Sequence, residues 1–295
     1  MRLRNPFAAT LTGIALTAAA ITTATLPAEA AKARKTQTAA VSWAPADSAR
    51  IHPGVQMYTE GAQCTANFVF TDSAANVYVG YAAHCAGTGA ATDTNGCDAG
   101  SLPLGTKVDF VENGSLVTAG QTVGSGTLAY SSWLAMQNAG TTDANACDYH
   151  DFALVKVSEA DKGKVNPSVP FWGGPVALNT DESAAGESVY SFGNSSLRGG
   201  IELLSPKQGN SLGAQGGGWT HPVYTATPGI PGDSGSAFLD SQGNALGTLS
   251  TVQIAPLAGS NGVSDLEREL AFAQQHSGIS GLQLVAGTEP FSPVL

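Results

Sequence analysis

The sequence predicts an all-β fold. From residue 51 onward, short apolar runs are separated by Gly, Asn, Asp and Ser, and 36 glycines and 15 prolines punctuate the chain. Those runs do not alternate with long amphipathic helical stretches, as a parallel α/β sheet would require. Residues 67–71, 76–81, 107–111, 152–157, 187–192, 219–225, 236–239 and 245–251 each read as strands. The length suits one barrel-type fold or two small barrels sharing an interface. Two segments break the pattern. Residues 130–138 read as a short helix before Gly140. Residues 264–276 read as a helix opened by a capping box of Ser264 and Glu267, with Leu266, Leu270, Phe272 and Ala273 on its apolar stripe and Gly278 beyond its end.

The N-terminus reads as a secretory signal. Met1-Arg2-Leu3-Arg4 is a positive start, an apolar stretch runs from residue 7 to 26, and Ala28-Glu29-Ala30 has the Ala-x-Ala form of a cleavage site. Residues 1–30 are therefore expected to be removed on export. Residues 31–50, rich in Ala, Thr and Ser, are expected to be flexible or removable, and 51–295 to form the folded domain. No later segment reaches the roughly 20 apolar residues that span a bilayer. The net charge of −10 argues against nucleic acid and anionic membranes as partners. A secreted, extracellular monomer acting on protein or peptide is expected.

Four cysteines, Cys64, Cys85, Cys97 and Cys147, fit an oxidising compartment and allow three pairings. One of them, Cys64 with Cys85 and Cys97 with Cys147, would place a bridge beside His84 and another just ahead of Asp151. Neither Cys-x-x-Cys nor His-x-x-x-His spacing occurs, so no metal site is expected, and nothing calls for a cofactor.

Three local frames carry chemistry: Ala82-Ala83-His84-Cys85, Asp151-Phe152-Ala153-Leu154-Val155, and Pro231-Gly232-Asp233-Ser234-Gly235-Ser236. A serine hydroxyl is a poor nucleophile at neutral pH. It needs an imidazole to take its proton and a carboxylate to hold that imidazole in the right tautomer. Gly232 allows a sharp turn, so that its N–H and that of Ser234 can both point at a developing oxyanion. Asp233 would sit beneath this turn and needs a cationic or hydrogen-bonding partner. His84 follows small residues at the end of an apolar run, where its ring can emerge into a cleft. Asp151 opens an apolar run, which favours it over its rival Asp148. His52, His150, His221 and His276 lack such a frame and receive no role.

Together these frames resemble the chymotrypsin-like (trypsin-like) serine protease family, and most nearly its small secreted bacterial branch, over roughly residues 51–276. The resemblance implies two packed antiparallel six-stranded β-barrels with a C-terminal helix and the reactive residues in the cleft between them. It implies Ser234 as nucleophile, His84 as general base and then acid, Asp151 as the orienting carboxylate, and an endopeptidase reaction through an acyl-enzyme. Carried over, the primary specificity pocket falls on Pro228, Ser250 and Val252. Pro228 stands where trypsin-type enzymes have aspartate, and Val252 where glycine would leave the pocket open, so a neutral and shallow pocket is expected. Ser236 departs from the family's usual glycine. Two partners are open for Asp233: an amino group freed by cleavage between Arg50 and Ile51, or the side chain of Arg198.

Other hydrolases fit poorly. Position 236 is Ser where an α/β-hydrolase elbow needs Gly, and the order Ser…Asp…His is absent. The alternative that remains is a secreted binding protein on the same fold, inactive despite its intact triad.

Overall fold

Strand pairing divides the chain into one open sheet and one barrel. In the computed structural model the described residues are 41–90, 94–253 and 258–293, with only the backbone described for Val252 and Gln253. All of them lie in the unit Thr38–Leu295. The expected leader, residues 1–30, lies outside the described residues, as do residues 31–40.

The first half supplies β1 (Gln56–Thr59), β2 (Ala62–Thr65), β3 (Val69–Thr71), β4 (Val77–Tyr81), β5 (Lys107–Glu112), β6 (Gln121–Ser131) and β7 (Ala153–Val157). Helix α1 (Ser132–Ala139) follows β6, and α2 (Ala144–Tyr149) precedes β7. The second half supplies β8 (Ala185–Phe192), β9 (Pro206–Leu212), β10 (Thr220–Thr225), β11 (Ala237–Leu239), β12 (Ala245–Gln253) and β13 (Ser260–Asp265), then α3 (Leu266–His276) and β14 (Gln283–Leu284).

Only the second half closes. Its six strands form a barrel in the order β10-β13-β12-β11-β8-β9. The first half is an eight-stranded sheet, β14-β3-β4-β7-β6-β5-β1-β2, and not the expected six-stranded barrel. The cause is the C-terminal tail. Gln283 pairs with Thr71 and Leu284 with Phe70, so β14 occupies the edge of β3 that closure would have used. A sheet edge is an unsatisfied row of backbone donors and acceptors, and the tail caps it.

Several elements differ from the sequence expectation for local reasons. Strands β9 and β13 carry mostly Gly, Ser, Asn and Gln, yet all six residues of β13 are buried. Apolarity marks no strand whose inward residues are small, polar and hydrogen-bonded. Helix α1 starts at Ser132 because Tyr130 and Ser131 remain in β6, and it ends at Gly140, whose φ of 64° suits a residue without Cβ. Helix α3 is capped by Asp265, whose carboxylate accepts from Arg268 N–H, and not by Ser264, which stays in β13. The stretch 41–50 docks on the sheet: Ala44 N–H donates to Val165 O, and Arg50 and Ile51 N–H both donate to Lys164 O.

The core has three parts. One lies under the sheet around Val79, Phe110, Trp133 and Met136, and another fills the barrel around Val189, Phe238 and Val263. Between them, Phe68, Phe152, Trp172, Leu266 and Leu270 join sheet, barrel and α3. Disulfides Cys64–Cys85 and Cys97–Cys147 brace the sheet side, with Cα–Cα distances of 6.1 and 5.1 Å.

The second bridge spans a sequence separation of 50 residues. Loop-closure entropy for such a loop is worth about 4 kcal/mol. Replacing Cys97 and Cys147 together by Ala is therefore expected to lower the thermal midpoint by well over 5 °C, read by calorimetry. An unchanged midpoint would show that α2 and its neighbours hold without the bridge.

Candidate active site

The strand β4 is wholly buried and ends at Tyr81, and Ala82 and Ala83, both fully buried, leave room for a tight 3₁₀ turn over Ala83–Ala86. His84 rides on this turn with its side chain 29% exposed. Asp151 lies between α2 and β7. Its Oδ1 accepts from His84 N–H (2.8 Å), and its Oδ2 from His84 Nδ1 (2.6 Å) and from Ser250 Oγ (2.6 Å). Ser250 is in β12, so this one carboxylate ties the sheet to the barrel. His84 Nε2 makes no hydrogen bond among the described residues.

These contacts set the charges. Burial would raise the Asp151 carboxyl, but His84 and the hydrogen bonds from His84 and Ser250 outweigh it and hold the group below its ordinary 3.8. Burial likewise pushes the His84 imidazole down, yet the Asp151 charge and hydrogen bond lift it above 6.5. His150 beside them is driven by burial down to about 3, with Asp151 opposing, and is neutral at ordinary pH.

The loop carrying Ser234 packs against the strand end that presents His84. Its carbonyl accepts from Thr65 N–H (2.8 Å), and Gly235 N–H donates to Leu249 O (2.7 Å). A Cβ on Gly235 would stand 2.9 Å from Ala82 N and 3.1 Å from Tyr81 Cβ. Only glycine lets the serine loop press so closely against the strand end that presents His84. Gly232 has φ of 93°, and a Cβ there would meet Gln63 Oε1 at 2.3 Å. Gln63 Nε2 and Thr65 Oγ1 hold the Gly232 carbonyl at 3.0 and 2.7 Å. Among the described residues, the N–H groups of Gly232 and Ser234 donate to no protein acceptor.

Asp233, fully buried, anchors the loop from below. Its Oδ1 accepts from Ser195 N–H (3.0 Å), and its Oδ2 from Ile230 N–H (3.1 Å), Arg198 Nη2 (2.5 Å) and Lys207 Nζ (3.1 Å). Ile51 stays inside the chain beside Val165, and its N–H is taken by Lys164 O. Lys207 was not foreseen: it is a lone lysine in a polar strand, and no local signal marks it as buried. Burial lowers its pKa, opposed by the Asp233 charge.

Of the pocket residues, Pro228 offers its carbonyl to Arg198 Nη2 (3.0 Å), Ser250 turns its hydroxyl to Asp151, and the Val252 side chain lies outside the described residues. Asn261, also unforeseen, links the two segments expected to line the pocket. It accepts from Gly229 N–H (2.8 Å) and donates to the carbonyls of Gly229 and Thr251 (both 3.3 Å). Ser236 is buried without strain evident in its backbone pairing to Asp233 and Leu249.

The larger cavity, about 620 Å³, is lined by His52, Glu112, Trp172 and Arg198 and includes none of His84, Asp151 and Ser234. The smaller, about 320 Å³, is lined by Asp148, Tyr149, Ser250 and Thr251 and so adjoins Asp151. Cys64, His84 and Cys85 cluster closely, but both sulfurs are spent in a disulfide and cannot act as thiolate ligands.

A second Ser–His–Asp chain also has the composition of a serine-protease triad. Ser183 Oγ lies 2.8 Å from His221 Nδ1, and His221 Nε2 lies 2.8 Å from Asp265 Oδ2. Its members are 4%, 0% and 5% exposed, and Ser183 also bonds Ser211 Oγ at 2.7 Å. It ties the segment ahead of β8 to β9, β10 and the cap of α3, and all three of its members are buried.

Residues 82–247 match the family described as the trypsin-like peptidase domain. No curated protein sequence matches the chain. Among solved structures, protease A of Thermobifida fusca is 17% identical with a TM-score of 0.49, over 80% of this chain and 99% of that one. A Nocardiopsis protease is 17% identical with a TM-score of 0.46, over 79% and 98%. A chymotrypsin of Cellulomonas bogoriensis is 15% identical with a TM-score of 0.45, over 80% and 98%.

Removing one cation from a buried carboxylate leaves charge uncompensated, at a cost of about 3–5 kcal/mol. Arg198→Ala is expected to cut kcat at least 10-fold through the oxyanion loop, and Lys207→Met to act less severely because Arg198 remains. Full activity of Arg198→Ala in a peptide assay would show that Lys207 alone holds Asp233.

Proposed function

The chain belongs to the trypsin-like peptidase domain family, and from that membership we propose the residue roles in its reaction. It is a serine peptidase that works through an acyl-enzyme. Ser234 Oγ attacks the scissile carbonyl while His84 Nε2 takes its proton, and Asp151 holds the imidazole through Nδ1 and stabilises the imidazolium. The oxyanion is received by the N–H groups of Gly232 and Ser234. His84 then protonates the leaving amine, and water repeats the sequence in reverse to free the acid and restore Ser234. The observation that carries this reading is the Asp151–His84 pair, whose imidazole is partly exposed, set where the Ser234 loop packs on the end of β4.

The Ser183–His221–Asp265 chain is read as structural, because all three members are buried and the Ser183 hydroxyl is also bonded to Ser211. The pocket is read as neutral. Pro228 brings no carboxylate, and the amide of Asn261 spans the walls, so cleavage after uncharged side chains is favoured. We place the enzyme in the small secreted bacterial branch of the family. Residues 1–30 serve as an export leader, 31–50 as a segment ahead of the peptidase domain, and 51–295 as that domain. Two disulfides suit an extracellular location. Among the described residues no helix is long and apolar enough to cross a membrane. The substrate is protein or peptide.

Ser234→Ala is expected to lower kcat by at least about 10⁴-fold and abolish labelling by a serine-directed organophosphate. Ser183→Ala should keep the label and cost only about 1–2 kcal/mol of stability. Labelling lost in Ser183→Ala but kept in Ser234→Ala would reverse the assignment. A second outcome concerns pH. The base must be neutral, so kcat/KM should rise through a pKa above 6.5, and Asp151→Asn, by removing the charge that lifts it, should move that limb to lower pH while reducing the plateau.

A further inference from the structure

A carboxyl group that the reaction above does not use lies directly behind the orienting aspartate. Glu269 belongs to α3, on the inward stripe with Leu266, Leu270 and Ala273, and it is fully buried. Its Oε1 accepts the backbone N–H of Asp151 (3.2 Å), and its Oε2 lies 2.8 Å from Thr248 Oγ1. Thr248 also accepts from Asn67 Nδ2 (3.2 Å) and sits in β12, two residues before the Ser250 whose hydroxyl meets Asp151. One side chain therefore spans the C-terminal helix, the segment carrying Asp151 and the strand carrying Ser250.

An acid in this place is costly to keep, since a buried carboxyl without a cation destabilises the charged form. Among the described residues no cation pairs with Glu269. The titratable groups facing it are Asp151, Asp265 and the phenol of Tyr130. Burial first, then the charges of Asp151 and Asp265, outweigh its hydrogen bonds and raise its pKa well above 4.5, which favours its protonated form. A leucine on the same stripe would fill the volume but would leave the Asp151 N–H and the Thr248 hydroxyl without their partner.

We propose that Glu269 is a positioning residue, which locks the backbone of Asp151 to β12 and α3 so that one carboxylate can meet His84 and Ser250 together. The inference rests on Asp151 being the orienting carboxylate of the reaction. A misplacement of about 1 Å behind the reacting groups can cost about 100-fold in rate. The role is therefore visible in kcat and in the ionisation of His84, and not in substrate binding.

The test uses the full chain with Glu269→Gln, Glu269→Leu and Thr248→Val, and Asp151→Asn as control. Rates on a peptide substrate are divided by the organophosphate-labelled fraction, so that misfolded molecules drop out. Glu269→Gln, whose amide oxygen can still accept from Asp151 N–H, should stay within about twofold of the parent in kcat. Glu269→Leu should lose about 10- to 100-fold in kcat at unchanged KM, and its acid limb of kcat/KM should move to lower pH as the Asp151–His84 pairing loosens. Thr248→Val should show a smaller loss of the same kind and keeps the test open where the leucine variant does not fold. Stability gives an independent sign. The parent must retain a proton in the folded state as pH rises above 4.5, so its stability falls there, and Glu269→Gln should gain in Tm at pH 8 relative to pH 4. Full kcat with an unmoved limb in both Glu269→Leu and Thr248→Val would overturn the proposal. So would a glutamine variant as impaired as the leucine one. If Asp151→Asn keeps the parent kcat, the underlying triad reading falls and takes this inference with it; if Asp151→Asn collapses while the Glu269 variants do not, only the inference falls.

Discussion

The molecule is organised around one buried carboxylate. Asp151 collects the His84 backbone and ring from the sheet and the Ser250 hydroxyl from the barrel, at 2.6–2.8 Å. An aspartate so enclosed is tolerable because both of its oxygens accept hydrogen bonds. Burial alone would raise its pKa, and its donors reverse that outcome. The pairing is thus both a structural rivet between the two halves and the source of the basicity of His84.

A second buried carboxylate does comparable service for the serine loop. Asp233 takes two backbone N–H groups and two cations, Arg198 and Lys207, and the same cations reach the carbonyl of Pro228 at 3.0 and 3.5 Å. The loop is thereby held from beneath while Gln63 and Thr65 hold the Gly232 carbonyl from the side. Donors that are fixed before the substrate arrives need no reorganisation during the reaction, which is where such electrostatic stabilisation gains its strength. The positive charge facing Asp233 comes from Arg198 and Lys207, while the Ile51 N–H is taken by Lys164 O.

The frames around His84, Asp151 and Ser234 stood out because each couples an unusual residue to a local constraint: small residues before His84, an apolar run after Asp151, glycines around Ser234. Arg198 was legible as one of two options. Lys207, Asn261 and Glu269 were not, for they act through partners far away in the chain. Glu269 left one faint mark, a charged residue on the stripe of Leu266, Leu270 and Ala273. The fold expectation failed at one edge. Nothing in the dipeptide Gln283-Leu284 announces a strand, and only its pairing with Phe70 and Thr71 shows why the first half stays an open sheet.

By itself the sequence determined the all-β, strand-rich character of the chain, the short frames around His84, Asp151 and Ser234, and the cysteines available for bridging. These are local matters, set by periodicity, turn residues and short frames of a few neighbours. The tertiary structure decided how deeply each of two Ser–His–Asp sets is buried, which cations neutralise Asp233, how Asn261 links Gly229 to Thr251, and that only one half closes. Each of those depends on burial and on contacts between residues tens to hundreds of positions apart. Burial and distant contacts are properties of the packed chain, so no local window of the sequence contains them.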